Sequence, residues 1–138
     1  MKIVVDVNVV FSSLLSKGNS LTVFELNSVF DRLDLVAPEF LLMELEEHRE
    51  EFLKRSKLPK EEFDDVLWFV LGQINFILKS EFSKSIPKAK KLSSKHLKDV
   101  QYVALALELS CPIFSGDKSL KEISGVEVLN PKELLSRF

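Results

Sequence analysis

KIVVDVNVVF, residues 2–11, decides how the rest of the chain is read. Residues 2–7 have the continuous apolar character of a strand buried on both faces, and Asn8 is placed to cap a helix over VVFSSLLS, which KGN then ends. Ile3, Val4, Val5, Val7, Val9 and Val10 bury well in such a setting. Asp6 does not, because a lone carboxylate at the end of a buried strand is costly to desolvate unless something pairs with it.

Working outward, strand-like and helical stretches alternate to the last residue. Ser20 is placed to cap LTVFELNSVF, with Val23, Phe24, Leu26 and Phe30 at helical spacing, and LDLVAP is a short second strand. A long helix from Glu39 carries Phe40, Leu41, Leu45, Phe52 and Leu53 inward. A further helix from Lys60 has the apolar face Phe63, Val66, Leu67, Val70 and Leu71, and NFILK reads as a third strand. A lysine-rich stretch then leads to the helix KDVQYVALALEL, the strand PIFSG, a short helix after Asp117, the strand VEVLN, and PKELLSRF with Pro131 suited to a helix start. Such alternation predicts an α/β protein in which a central parallel sheet lies between helical layers. In open sheets of that kind ligands and chemistry collect at the carboxyl ends of the strands, which is where Asp6 falls.

With 138 residues, 46% hydrophobic and 29% charged, the chain has the balance of one ordinary folded domain, residues 1–138. It contains no internal repeat, low-complexity tract or linker. A formal charge of −2 excludes a global pull toward nucleic acid or anionic membrane, so contact with a polyanion needs a local patch. The single cysteine, Cys111, rules out an internal disulfide framework, fits a reducing compartment and reads as a small buried hydrophobe. With no charged leader after Met1, and VLWFVLG far too short to span a bilayer, the expectation is a soluble cytoplasmic protein without a membrane partner.

Three more acids stand in places as odd as that of Asp6. Glu44 lies on the inward face of its helix, one turn after Phe40 and Leu41 and one turn before His48. Asp99 opens the apolar helix, and Asp117 hangs from the end of PIFSG with Ser115 two residues before it. Each has a structural reading of its own: Asp99 favouring a helix dipole, Asp117 serving as a turn residue or N-cap, Glu44 lying at a wet rim. Together they point elsewhere, because α/β topology brings the ends of strands 1 and 4 side by side and can aim two helices at the same spot. Four carboxylates about 5 Å apart repel by roughly 3 kcal/mol per pair at an effective dielectric near 20. One or two hard divalent cations, Mg²⁺ above all, offset that charge, and the chemistry such ions serve is phosphodiester hydrolysis.

VVDVNVVFSSLL, PEFLLMELEEH, LKDVQYVALALEL and PIFSGDKSL resemble, in the same order, the four acidic motifs of PIN-domain ribonucleases, and the similarity runs from the first strand to the last helix. The most telling part is Asp99 followed by ALALEL and then, eighteen residues on from the acid, by Asp117 in SGDK. The resemblance implies a three-layer α/β/α sandwich and a Mg²⁺- or Mn²⁺-dependent endoribonuclease that cleaves single-stranded RNA with a metal-activated water. By it, Asp6, Glu44, Asp99 and Asp117 match the metal-binding acids, with Asn8 and Ser115 as the polar residues that support them. Many relatives are toxins neutralised by a small antitoxin, so an antitoxin is an implied partner.

Between residues 79 and 98 come Lys79, Lys84, Lys88, Lys90, Lys91, Lys95 and Lys98, opposed only by Glu81. One reading is a solvated loop and helix face. The other is a phosphate-tracking patch that feeds into Asp99, with Lys17 and Lys118 as further candidates just beyond two of the motifs. His48 and His96 do not form a metal-ligand pair by spacing. LWFVL is apolar on more than one helical face, so Trp68 and Phe69 predict a partner surface and a homodimer. Two other classes of function fit parts of the pattern: a catalytically idle RNA-binding or scaffold module on the same fold, and a receiver-like phosphoacceptor domain. The latter wants an Asp at the end of its third strand, where NFILKS has none.

Overall fold

The computed structural model describes residues 1–123 and 125–138. Five parallel strands form one sheet in the order β3-β2-β1-β4-β5, with β1 (Lys2–Val5) at its centre, flanked by β2 (Asp34–Pro38) and β4 (Ile113–Phe114). The outer strands are β3 (Ile74–Ile77) and β5 (Val128–Leu129). Lys2 pairs with Asp34, Val4 with both Val36 and Ile113, and Val5 with Phe114. Ile3, Val4 and Val5 are fully buried, which is why no polar residue stands between the exposed Lys2 and Asp6.

Helices cover both faces. On one side α1 (Val7–Leu15) packs against α2 (Asn19–Phe30), α3 (Phe40–Arg55) and α4 (Lys60–Leu71), and α8 (Pro131–Leu135) packs on α2. On the other, α6 (Val100–Leu109) lies across β1 and β2, with α5 (Ile86–Leu92) against it. The short α7 (Lys118–Lys121) joins β4 to β5. This is the three-layer α/β/α sandwich expected from the alternation. Among the described residues no helix is long and apolar enough to cross a membrane.

Several local expectations need correction. Asn8 does not cap α1: the helix starts at Val7, so Asp6 holds the cap position and Asn8 lies in the first turn, free to reach across to β4. Ser20 is likewise inside α2 and buried, and Gly18 precedes the helix in its place. Phe30 is 53% exposed, stacked under the Arg32 guanidinium, because the inward position one turn earlier belongs to Asn27. That buried amide accepts from the amides of Arg32 and Leu33 and donates to the Leu33 carbonyl, tying the end of α2 to the start of β2. Cys111 is only half-buried, at the amino edge of β4. In the lysine-rich stretch, two 3-10 turns and α5 pack Phe82, Ala89 and Ser93 inward against α6 and leave the lysines outward. The apolar pattern of this stretch is short and diluted by lysines, so periodicity did not give the bounds of α5.

Candidate active site

α1, α3, α6 and α7 all start at the carboxyl edge of the sheet, and each carries or follows one of the four acids. Asp6 leaves the end of β1 and is 5% exposed. Because β1 and β4 are neighbours, the residue that follows β4 meets it: the Ser115 hydroxyl donates to Asp6 Oδ2 at 2.7 Å and accepts from the Asp117 amide at 3.0 Å. Asn8 makes a second latch across the same strand pair, its Oδ1 accepting from the Gly116 amide at 3.1 Å. A β-carbon at Gly116 would itself sit 3.1 Å from that oxygen, so a side chain there would press on the Asn8 amide. The two supporting residues predicted from sequence thus each make a side-chain bond across the β1 and β4 ends, beside the backbone bond from the Asp6 amide to the Phe114 carbonyl.

Glu44, one turn into α3, is half-buried, and its Oε1 accepts from the Tyr102 hydroxyl of α6 at 2.5 Å. Asp99 ends the 3-10 turn Leu97–Asp99 and occupies the cap position of α6. Asp117 caps α7, with Oδ1 accepting from the Ser119 amide at 2.9 Å and the Ser119 hydroxyl at 2.7 Å. Its predicted role as an N-cap is therefore real, and its charge also reaches Asp99.

The charges of Asp6, Glu44 and Asp99 act on one another. Burial pushes the Asp6 pKa from 3.8 up to about 7; the Ser115 hydrogen bond works against that, and the charges of Asp99 and Glu44 add to it. Glu44 is raised by burial, opposed by the Tyr102 hydrogen bond and then by His48 and Lys98. Asp99 is raised by burial and then by Asp117, with His96 pulling the other way. Burial is the leading cause in all three, and neighbouring carboxylates add to it.

The donor set suits a hard divalent cation: oxygen ligands only, in a partly desolvated setting that disfavours their own ionisation. Yet among the described residues no three of the His, Cys, Asp and Glu side chains stand close enough together to hold an ion. Asp6, Glu44 and Asp117 each have one oxygen turned toward a protein donor, which leaves the other oxygen of each carboxylate.

The lysines divide. Lys98 faces Glu44, and Lys95 lies with His96 beside Ser119 and Glu122. Lys118 opens α7 next to Asp117. Lys90 and Lys91 are exposed on the last turn of α5, and Lys88 lies near Cys111 and Glu127 at the opposite edge of the sheet. Lys17 is not brought to the acids: it sits beyond the far end of α1, 3.1 Å from Glu62, near Glu25 and Asp65. Trp68 is 70% exposed at the mouth of an apolar groove between α1, α3 and α4 that Phe11, Leu45 and Phe52 also line.

A PIN-domain sequence profile matches residues 4–136. The chain belongs to the PIN-domain family. No curated protein matches it by sequence. Among solved structures, it is similar to a chain of VapBC2 from Rickettsia felis, solved bound to a DNA fragment from their promoter. Identity is 14%, the TM-score is 0.68, and the match covers 94% of this chain and 98% of that one. At that identity the likeness speaks for the fold, a PIN fold, and the receiver-like alternative has no support.

Sequence reasoning missed Tyr102 and Ser119. Tyr102 follows Asp99 by one helical turn and so shares its face of α6, a spacing that singles it out as the one aromatic residue of that helix. Ser119 carries no signal beyond following an acid by two residues, the spacing of a local side-chain turn.

Proposed function

We propose that this PIN domain is an endoribonuclease that cuts single-stranded RNA with Mg²⁺ or Mn²⁺ held by Asp6, Glu44, Asp99 and Asp117. The observation that carries the reading is the buried Asp6, whose pKa is pushed up to about 7 with two further carboxylates acting on it. Such a site is costly in the absence of a cation and makes chemical sense with one. The bound ion supplies activation of a water toward phosphorus and relief of charge on the leaving oxygen.

The protein's own part is positional. Ser115 orients the Asp6 carboxylate, the Asn8 latch to Gly116 keeps the β1 and β4 ends in register, and Ser119 holds Asp117. Lys95, Lys98 and Lys118, on the rim of the acids, are the side chains set to hold RNA phosphates. Lys90 and Lys91 extend that path along α5.

By analogy with the VapBC2 complex of R. felis, we further propose that the chain is the toxin of a toxin-antitoxin pair. A small partner protein would cover the apolar groove beside Trp68, and the same helix would serve a homodimer. The deciding experiment is incubation of the purified protein with a panel of labelled unstructured RNAs in Mg²⁺, in Mn²⁺ and in excess EDTA. Cleavage that needs the ion is expected. Cleavage that persists unchanged in EDTA overturns the metal mechanism, and RNA binding without cleavage in any ion makes the chain an idle RNA-binding module.

A further inference from the structure

Tyr102 is 1% exposed, lies on the apolar helix α6, and is the chain's only tyrosine. A buried phenol needs a partner for its hydroxyl, and the one it has is Glu44 Oε1, fifty-eight residues away in sequence on the opposite helical layer, at 2.5 Å. That length belongs to a charge-assisted O–H···O⁻ bond. The ring is fixed in turn by Phe40 of α3, edge-on with centroids 6.2 Å apart, so the tyrosine is gripped by the same helix whose carboxylate it holds. Among the described residues no donor reaches Glu44 Oε2.

We propose that Tyr102 is a positioning residue for the cation site: it occupies Glu44 Oε1, fixes the carboxylate's rotamer and presents Oε2 alone to the ion. The inference rests on the metal-dependent reading above. A long glutamate on a half-exposed helix face otherwise samples several rotamers, and ordering it on binding costs affinity. Loss of an outer hydrogen bond to a metal ligand characteristically weakens metal affinity by about 10-fold to 100-fold.

The test uses the whole chain and Mn²⁺ as the probe, with binding read by electron paramagnetic resonance of the free ion, independently of cleavage. Tyr102→Phe removes one oxygen and keeps the ring in its contact with Phe40. The variant is expected to bind Mn²⁺ about 10-fold more weakly than the parent, and to regain cleavage in excess ion. In the parent, the ultraviolet resonance Raman bands of the lone tyrosine, separable from those of the lone tryptophan, should shift on adding Mn²⁺ as the Glu44 charge is drawn to the ion. That shift should vanish in Glu44→Gln, and it needs no folded Tyr102 variant.

Unchanged Mn²⁺ affinity in Tyr102→Phe, with a lower melting point in EDTA, overturns the proposal and makes the hydroxyl a structural bond. Parent binding of Mn²⁺ with no movement of the tyrosine bands overturns it as well. If the parent binds no Mn²⁺ at all, the metal reading itself fails, and Tyr102 falls with it.

Discussion

Replacing Asp6 by Asn separates a metal ligand from a structural residue, because it keeps the shape and removes the charge. Burial raises the folded-state pKa from 3.8 to about 7. In the protein without metal, the contribution of this group to stability is therefore present in full below the unfolded value and lost as pH rises toward 7. At roughly 1.4 kcal/mol per pKa unit, holding Asp6 ionised in the folded state costs about 4 kcal/mol above that point. The asparagine side chain carries no such cost, and its oxygen can still accept from Ser115. In EDTA, the Asp6→Asn variant is thus expected to match the parent in acid and to exceed it increasingly up to slightly alkaline pH. At about 4 °C per kcal/mol for a chain of this length, realising half of the penalty raises the melting point by about 8 °C. Circular-dichroism melts at several pH values, with EDTA and with Mg²⁺, measure this directly. On adding Mg²⁺ the parent should gain stability by mass action and the variant less, while cleavage is lost. A variant that melts clearly lower than the parent in EDTA, yet responds fully to Mg²⁺, would refute the assignment and make Asp6 a structural residue.

Because Asp6, Glu44 and Asp99 are all raised, protons compete with the ion, and at sub-saturating Mg²⁺ both binding and cleavage should climb with pH and level off beyond about 7. A profile flat through the weakly acidic range would contradict this. Changing Lys95 or Lys98 to Ala should weaken RNA binding and flatten its salt dependence by roughly 0.7 slope unit for each phosphate no longer neutralised, whereas Lys17→Ala should leave the slope alone. An effect confined to Lys17 would reverse the placement of the RNA path. Trp68→Lys should convert a dimer to monomers in sedimentation equilibrium, and a parent that is already monomeric at high concentration would remove the homodimer.

Alternating apolar stretches and turn residues were enough to read the layered parallel sheet, because strand and helix periodicities are properties of consecutive residues. The same local logic put Asp6 and Asp117 at strand ends and turned Glu44 inward. Which partners those acids meet was decided by the strand order, which sets β4 beside β1, and by the crossover that carries α6 over β2 toward α3. The bond between Ser115 and Asp6, the grip of Tyr102 on Glu44, and Asn8 as a latch to Gly116 in place of a helix cap all join residues far apart in the chain. The lysines were equivalent as sequence, and only the docking of α5 on α6 and the pairing with Glu62 separated Lys95 and Lys98 from Lys17. Periodicity fixes which face of an element a residue occupies, but the neighbour across the gap is set by how the elements pack, and it is those neighbours that raise Asp6 and hold the site together.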